Sequence, residues 1–156
     1  MGARNSAAAE PADRGLVITR AFNAPRAIVW KAWTDPEHLM RWWGPNGFVT
    51  TSCTMDLRAG GSWRIAMRSP EGDEHKQQGV FRQIEEPERL VFTYAFIDTP
   101  GLSGSEMLVE VSFAEHGEGT KVTLRQTLFE TVELRDAHVR GWNEALDHLA
   151  AQLAKF

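Results

Sequence analysis

Val132-Glu-Leu-Arg-Asp-Ala-His-Val-Arg-Gly-Trp-Asn-Glu-Ala-Leu-Asp-His-Leu-Ala-Ala-Gln-Leu-Ala-Lys-Phe156 is the stretch whose reading decides the fold. Val132, Val139, Trp142, Leu146, Leu149, Leu153 and Phe156 follow one another at spacings of 7, 3, 4, 3, 4 and 3, the repeat of one face of an α-helix. Arg140, Asn143, Glu144 and Asp147 fall mostly elsewhere. The stripe is too short for a dedicated coiled coil, so it packs on another part of the same chain. Gly141 interrupts it at a cost of about 1 kcal/mol against alanine. A glycine beside Trp142 points either to a close backbone approach or to room kept for a ring or ligand.

Upstream of this helix the apolar period is 2. Trp63, Ile65 and Met67 alternate with Arg64, Ala66 and Arg68, the pattern of a half-buried strand. Phe48–Leu57, Lys76–Ile84, Leu90–Phe96, Met107–Phe113 and Thr120–Leu128 read as further strands. Gly60-Gly61, Ser69–Asp73, Glu86-Pro87, Thr99–Gly104 and His116–Gly119 supply the turns, so the strands form an antiparallel meander. Leu90–Phe96 is apolar on both faces, which leaves its inward side open. Gly15–Phe22 reads as a first strand. Ala24-Pro25 then opens a short helix with proline expected at its first position, and Asp35-Pro36 caps and opens a second. Gly44-Pro45-Asn46-Gly47 ends that one. The order is strand, two short helices, six strands, long helix, an α+β arrangement. An antiparallel sheet buries one face, and only the last helix is long and apolar enough to cover it. A bent sheet of about seven strands around one helix leaves gaps at the helix ends, and the short helices suit one of them.

The 156 residues suit one domain, taken as 14–156, with residues 1–13 expected as a disordered lead. Met1-Gly2 with Ser6 fits the minimal myristoylation pattern, which a tail of small residues also produces by chance. No apolar run reaches the roughly 18 residues of a membrane span, or forms a secretory signal, so a cytoplasmic location is the expectation. A net charge of −4 with no basic run argues against a nucleic-acid partner. Cys53 is the one cysteine, so no internal disulfide forms. Against a single tyrosine stand 6 tryptophans, and rings in such excess either fill a core or wall a cavity.

The stretch Trp30-Lys-Ala-Trp33-Thr-Asp-Pro-Glu-His-Leu-Met-Arg-Trp42-Trp43-Gly-Pro resembles the N-terminal signature of the activator of heat-shock-protein-90 ATPase homologue-like proteins. Gly60-Gly61-Ser-Trp-Arg, Gly79-Val80-Phe81, Glu86-Pro-Glu-Arg-Leu-Val-Phe-Thr93, Gly141-Trp142 and Leu146-Asp-His-Leu149 extend the resemblance over residues 15–155. It implies the helix-grip fold of the START-like superfamily, in which a curved sheet wraps a C-terminal helix around a cavity. The family label carries no single activity.

Trp42, Trp43, Trp63, Ile65, Met67, Tyr94, Val139, Trp142 and Leu146 are the candidate ligand-contacting residues. Each also reads as plain core. The leading expectation is a binding module for a small apolar or amphipathic molecule between sheet and helix. The alternative is a cyclase- or hydrolase-type enzyme, with Tyr94, His138, Arg135 and Asp136 as its candidate ionisable groups. A third reading, a co-chaperone-like interaction module, is suggested by the family's name. The histidine and cysteine spacing fits no metal site, and no nucleotide or cofactor motif is present. Open sheet edges would allow a homodimer.

Overall fold

The computed structural model describes residues 15–155. The expected disordered lead, residues 1–13, and Phe156 lie outside the described residues. The elements are β1 (Leu16–Phe22), α1 (Arg26–Thr34), α2 (Pro36–Leu39), β2 (Val49–Met55), β3 (Ser62–Arg68), β4 (Glu74–Glu85), β5 (Arg89–Ile97), β6 (Met107–His116), β7 (Gly119–Thr127) and α3 (Val132–Leu153). The strands form one antiparallel sheet in the order β1-β7-β6-β5-β4-β3-β2. Strands β2 to β7 are a meander. The two short helices carry the chain from β1, which pairs with β7, to β2 at the opposite edge.

Local chemistry sets the helix starts. The Asp35 carboxylate accepts from the Glu37 backbone N–H at 3.0 Å, with Pro36 opening α2 behind it. Pro25 lies one place earlier than expected: it is the extended N-cap of α1, and Arg26 is the first helical residue. Thr131 caps α3, its hydroxyl accepting from the Leu134 N–H at 3.0 Å.

Register then decides which side chains meet. Gln77 pairs with Phe96 and Phe81 with Phe92, so Phe92, Tyr94 and Phe96 share the inner face of β5. Val91 and Thr93, on the outer face, are also buried, which is why the sequence left the inward side open. Trp63 pairs with Gly79 and reaches across it, its indole N–H donating to the Thr93 carbonyl at 3.1 Å. A Cβ at Gly79 would sit 1.8 Å from that carbonyl oxygen, so only glycine allows the crossing.

The core joins the inner sheet face, including Leu90, Val109, Val111 and Leu124, to Leu146, Leu149 and Leu153 of α3. The short helices complete it with rings. Trp30 meets Phe113 edge-on at 5.3 Å, and Trp33 stacks on Trp142 at 6.0 Å. No helix among the described residues is long and apolar enough to cross a membrane.

Candidate functional site

The buried residues of α3 are Trp142, Ala145, Leu146, Leu149 and Leu153, all in its C-terminal half. Its N-terminal half stands off the sheet and roofs a cavity of about 220 Å³. The roof is Leu134, Ala137, His138, Gly141, Trp142 and Ala145. Met67 of β3, His75 and Gln77 of β4, and Tyr94 and Phe96 of β5 form the floor. Trp43, Gly44, Pro45 and Phe48, from the segment between α2 and β2, close one side. Ala137 is exposed, and Pro45, Phe48 and His75 are half-buried, so the cavity meets solvent between the helix and this segment. Trp43, Met67, Gln77, Tyr94 and Trp142 are buried at its inner end.

Two tryptophans fix the inner end, and each is tied to a buried glutamine. The Trp43 indole N–H donates to Gln77 Oε1 at 3.0 Å, and the Trp142 indole N–H donates to Gln126 Oε1 at 2.7 Å. The two rings meet edge-on with centroids 5.2 Å apart. Gly141 lies beside them. A Cβ built on it would meet nothing within 4 Å, so no neighbouring backbone requires the glycine, and the space it leaves belongs to the cavity. Of the two readings of this glycine, a close backbone approach is not what the structure shows.

The polar wall groups are few. Tyr94 is 4% exposed, and its hydroxyl has no hydrogen-bond partner among the described residues. Burial holds it protonated well above the ordinary tyrosine range. His138 packs its ring against Tyr94, Phe96 and Phe129 at 5.6, 5.5 and 5.1 Å. Its Nδ1 lies 3.0 Å from the Leu134 carbonyl oxygen. A carbonyl only accepts, so Nδ1 carries the proton, and in the neutral ring Nε2 keeps its lone pair. Burial lowers the His138 pKa below 6.5, outweighing the bond to Leu134, which raises it.

The structure brings Trp43, Met67, Tyr94 and Trp142 of the sequence candidates together at this cavity. The others lie elsewhere. Trp42 is 1% exposed, packs against Trp33 at 4.7 Å and donates to the Ala32 carbonyl at 2.9 Å, which makes it an anchor for the short helices. Trp63 and Ile65 share the inner face with Met67, but the Trp43 ring stands 6.2 Å from Trp63 and takes the place next to the cavity. They line a separate void of about 20 Å³ instead. Leu146 is sealed in the core, and Val139 is half-buried outside the lining. Of the ionisable candidates, Tyr94 and His138 reach the cavity, whereas Arg135 and Asp136 pair with each other at 3.0 Å on the helix surface. Leu134 and Ala145 are walls that the sequence reading does not name, although with His138 and Gly141 their spacing of 4, 3 and 4 marks a second helical stripe beside the apolar one. Cys53 lies on β2, half-buried, its thiol pushed up to about 11 by burial and then by the charge of Asp35. Among the described residues no group of three or more His, Cys, Asp or Glu is placed to hold a metal ion.

A curved antiparallel sheet gripping a C-terminal helix, with two short helices after the first strand, is a START-like fold. The chain belongs to the Activator of Hsp90 ATPase homolog 1-like protein family, whose model matches residues 23–154. A solution structure of a protein from Arthrobacter aurescens superposes with a TM-score of 0.80 at 26% identity, over 93% of this chain and 88% of that one. A crystal structure of a protein from Nitrosomonas europaea gives 0.79 at 26% identity, over 92% and 96%. A protein of the same family from Silicibacter pomeroyi gives 0.79 at 27% identity, over 90% and 97%. No curated protein matches the chain.

Proposed function

We propose that the chain binds a small apolar or amphipathic molecule in the cavity beneath the N-terminal half of α3. The observation that carries this reading is Gly141. A helix-interior glycine costs about 1 kcal/mol against alanine, and here no close contact recovers that cost. The vacancy it maintains is bounded by apolar rings and has a way out to solvent. Removing a guest's apolar surface from water would supply affinity at about 25 cal/mol per Å². The test is tryptophan emission and native mass spectrometry of the wild-type chain and Gly141→Leu, which fills the vacancy. Wild type is expected to carry or take up a small apolar molecule, with a change in emission from Trp43 and Trp142, and Gly141→Leu to lose both signals. Identical behaviour of the two proteins would remove the proposal.

One observation favours a second reading, a cyclase- or hydrolase-type reaction: the Nε2 of His138 stands in the wall without an assigned bond. In such a reaction His138 would be the base, and Tyr94, held protonated, a hydrogen-bond donor to a carbonyl. That reading requires turnover that His138→Asn abolishes while ligand uptake persists.

A further inference from the structure

We infer that the guest is an uncharged, ring-bearing molecule offering a hydrogen-bond acceptor such as a ketone, and that the cavity discriminates against carboxylates. This inference rests on the proposed binding function and narrows it. The first argument is charge. No Asp, Glu, Lys or Arg lines the cavity among the described residues. An ion reaching the inner end would give up water and find no opposite charge, which is costly. The two wall histidines do not supply one there: burial favours the neutral ring of His138, and His75 sits half-buried at the end that meets solvent.

The second argument is the polarity of the groups on offer. Gln77 has already committed its Oε1 to Trp43, so what remains is the donor end of its amide. The Tyr94 hydroxyl is protonated and unpartnered. A donor that a guest covers without accepting from it is left buried and unmade, which is expensive, so a guest that accepts a hydrogen bond gains more here than a hydrocarbon of the same outline. The third argument is size. A volume of about 220 Å³ exceeds the roughly 150 Å³ that houses benzene in an apolar cavity. One substituted ring fits, its face lying over the bare Gly141 backbone.

Acetophenone, ethylbenzene and benzoate separate these arguments, since they share an outline and differ in acceptor and charge. Titrations at about pH 8, where benzoate is ionised, would follow the indole N–H resonances of Trp43 and Trp142. Acetophenone is expected to bind roughly 3- to 10-fold more tightly than ethylbenzene, the value of one net hydrogen bond. Benzoate is expected to bind at least about 10-fold more weakly than acetophenone. Tyr94→Phe, which removes only the hydroxyl and leaves the Gln77 amide, should reduce the preference for acetophenone and leave ethylbenzene binding in place. The inference is overturned if benzoate binds as well as acetophenone, or if acetophenone shows no advantage over ethylbenzene. In each of those cases the binding function itself stands. If none of the three molecules binds, both fail together.

Discussion

Replacing Gly141 by alanine would place one methyl group in empty space and relieve the backbone of glycine's extra freedom. Gly141→Ala is therefore expected to stabilise the unliganded protein by roughly 0.5–1 kcal/mol in urea unfolding. A loss of stability would mean that the vacancy is not there. His138 sets a pH dependence of the opposite character. Its folded pKa is depressed below 6.5, so between those two values the unfolded chain binds a proton that the folded one refuses. Stability then rises with pH through that window and is lost as pH falls through it. His138→Phe is expected to flatten this slope, measured as unfolding free energy against pH. An unchanged slope would show that His138 titrates as it does in the unfolded chain.

Within α3 the packing is unequal. Trp142, Ala145, Leu146, Leu149 and Leu153 are buried, whereas no residue before Trp142 in the helix is. Amide hydrogen exchange should therefore be faster in Val132–Val139 than in Leu146–Leu153, and a bound guest should narrow the gap. Equal rates without ligand would contradict the under-packed roof. The same division explains what could be read from the residues alone. The Trp142–Leu153 stripe and the alternation of Trp63, Ile65 and Met67 are periods intrinsic to helix and strand, so element order and inner face were legible. The cavity walls were not, because they depend on how far one helix end lifts from the sheet. Trp63 and Ile65 have the right face but stand behind Trp43, whose position comes from a turn. His138 and Gly141 carry too little hydrophobicity to register in an apolar pattern. Tyr94 was legible as a candidate contact, but its inward side came only from the Gln77–Phe96 register.

Across the molecule, α3 is strapped to its surroundings from two directions. Arg20 of β1 donates to Asp147 at 2.5 Å and to the Asn143 side chain at 3.1 Å. On the other side, the Asn46 backbone N–H donates to Glu144 at 2.9 Å, and Asn46 Oδ1 lies 2.7 Å from His148 Nε2. The second strap fastens the segment that borders the cavity's opening. Cutting it with Asn46→Ala and Glu144→Ala together should cost about 1 kcal/mol of stability and speed both entry and release of a guest, seen in stopped-flow fluorescence. Exchange rates equal to wild type would show that the opening does not depend on this segment. The glutamine tethers on Trp43 and Trp142 have a consequence of another kind. Because each indole is bolted to the sheet by its one donor, neither can swing aside to suit a visitor. The inner end of the chamber keeps its contour when vacant, so under the proposed binding function small differences in the part of a molecule that reaches it should translate directly into how long that molecule stays.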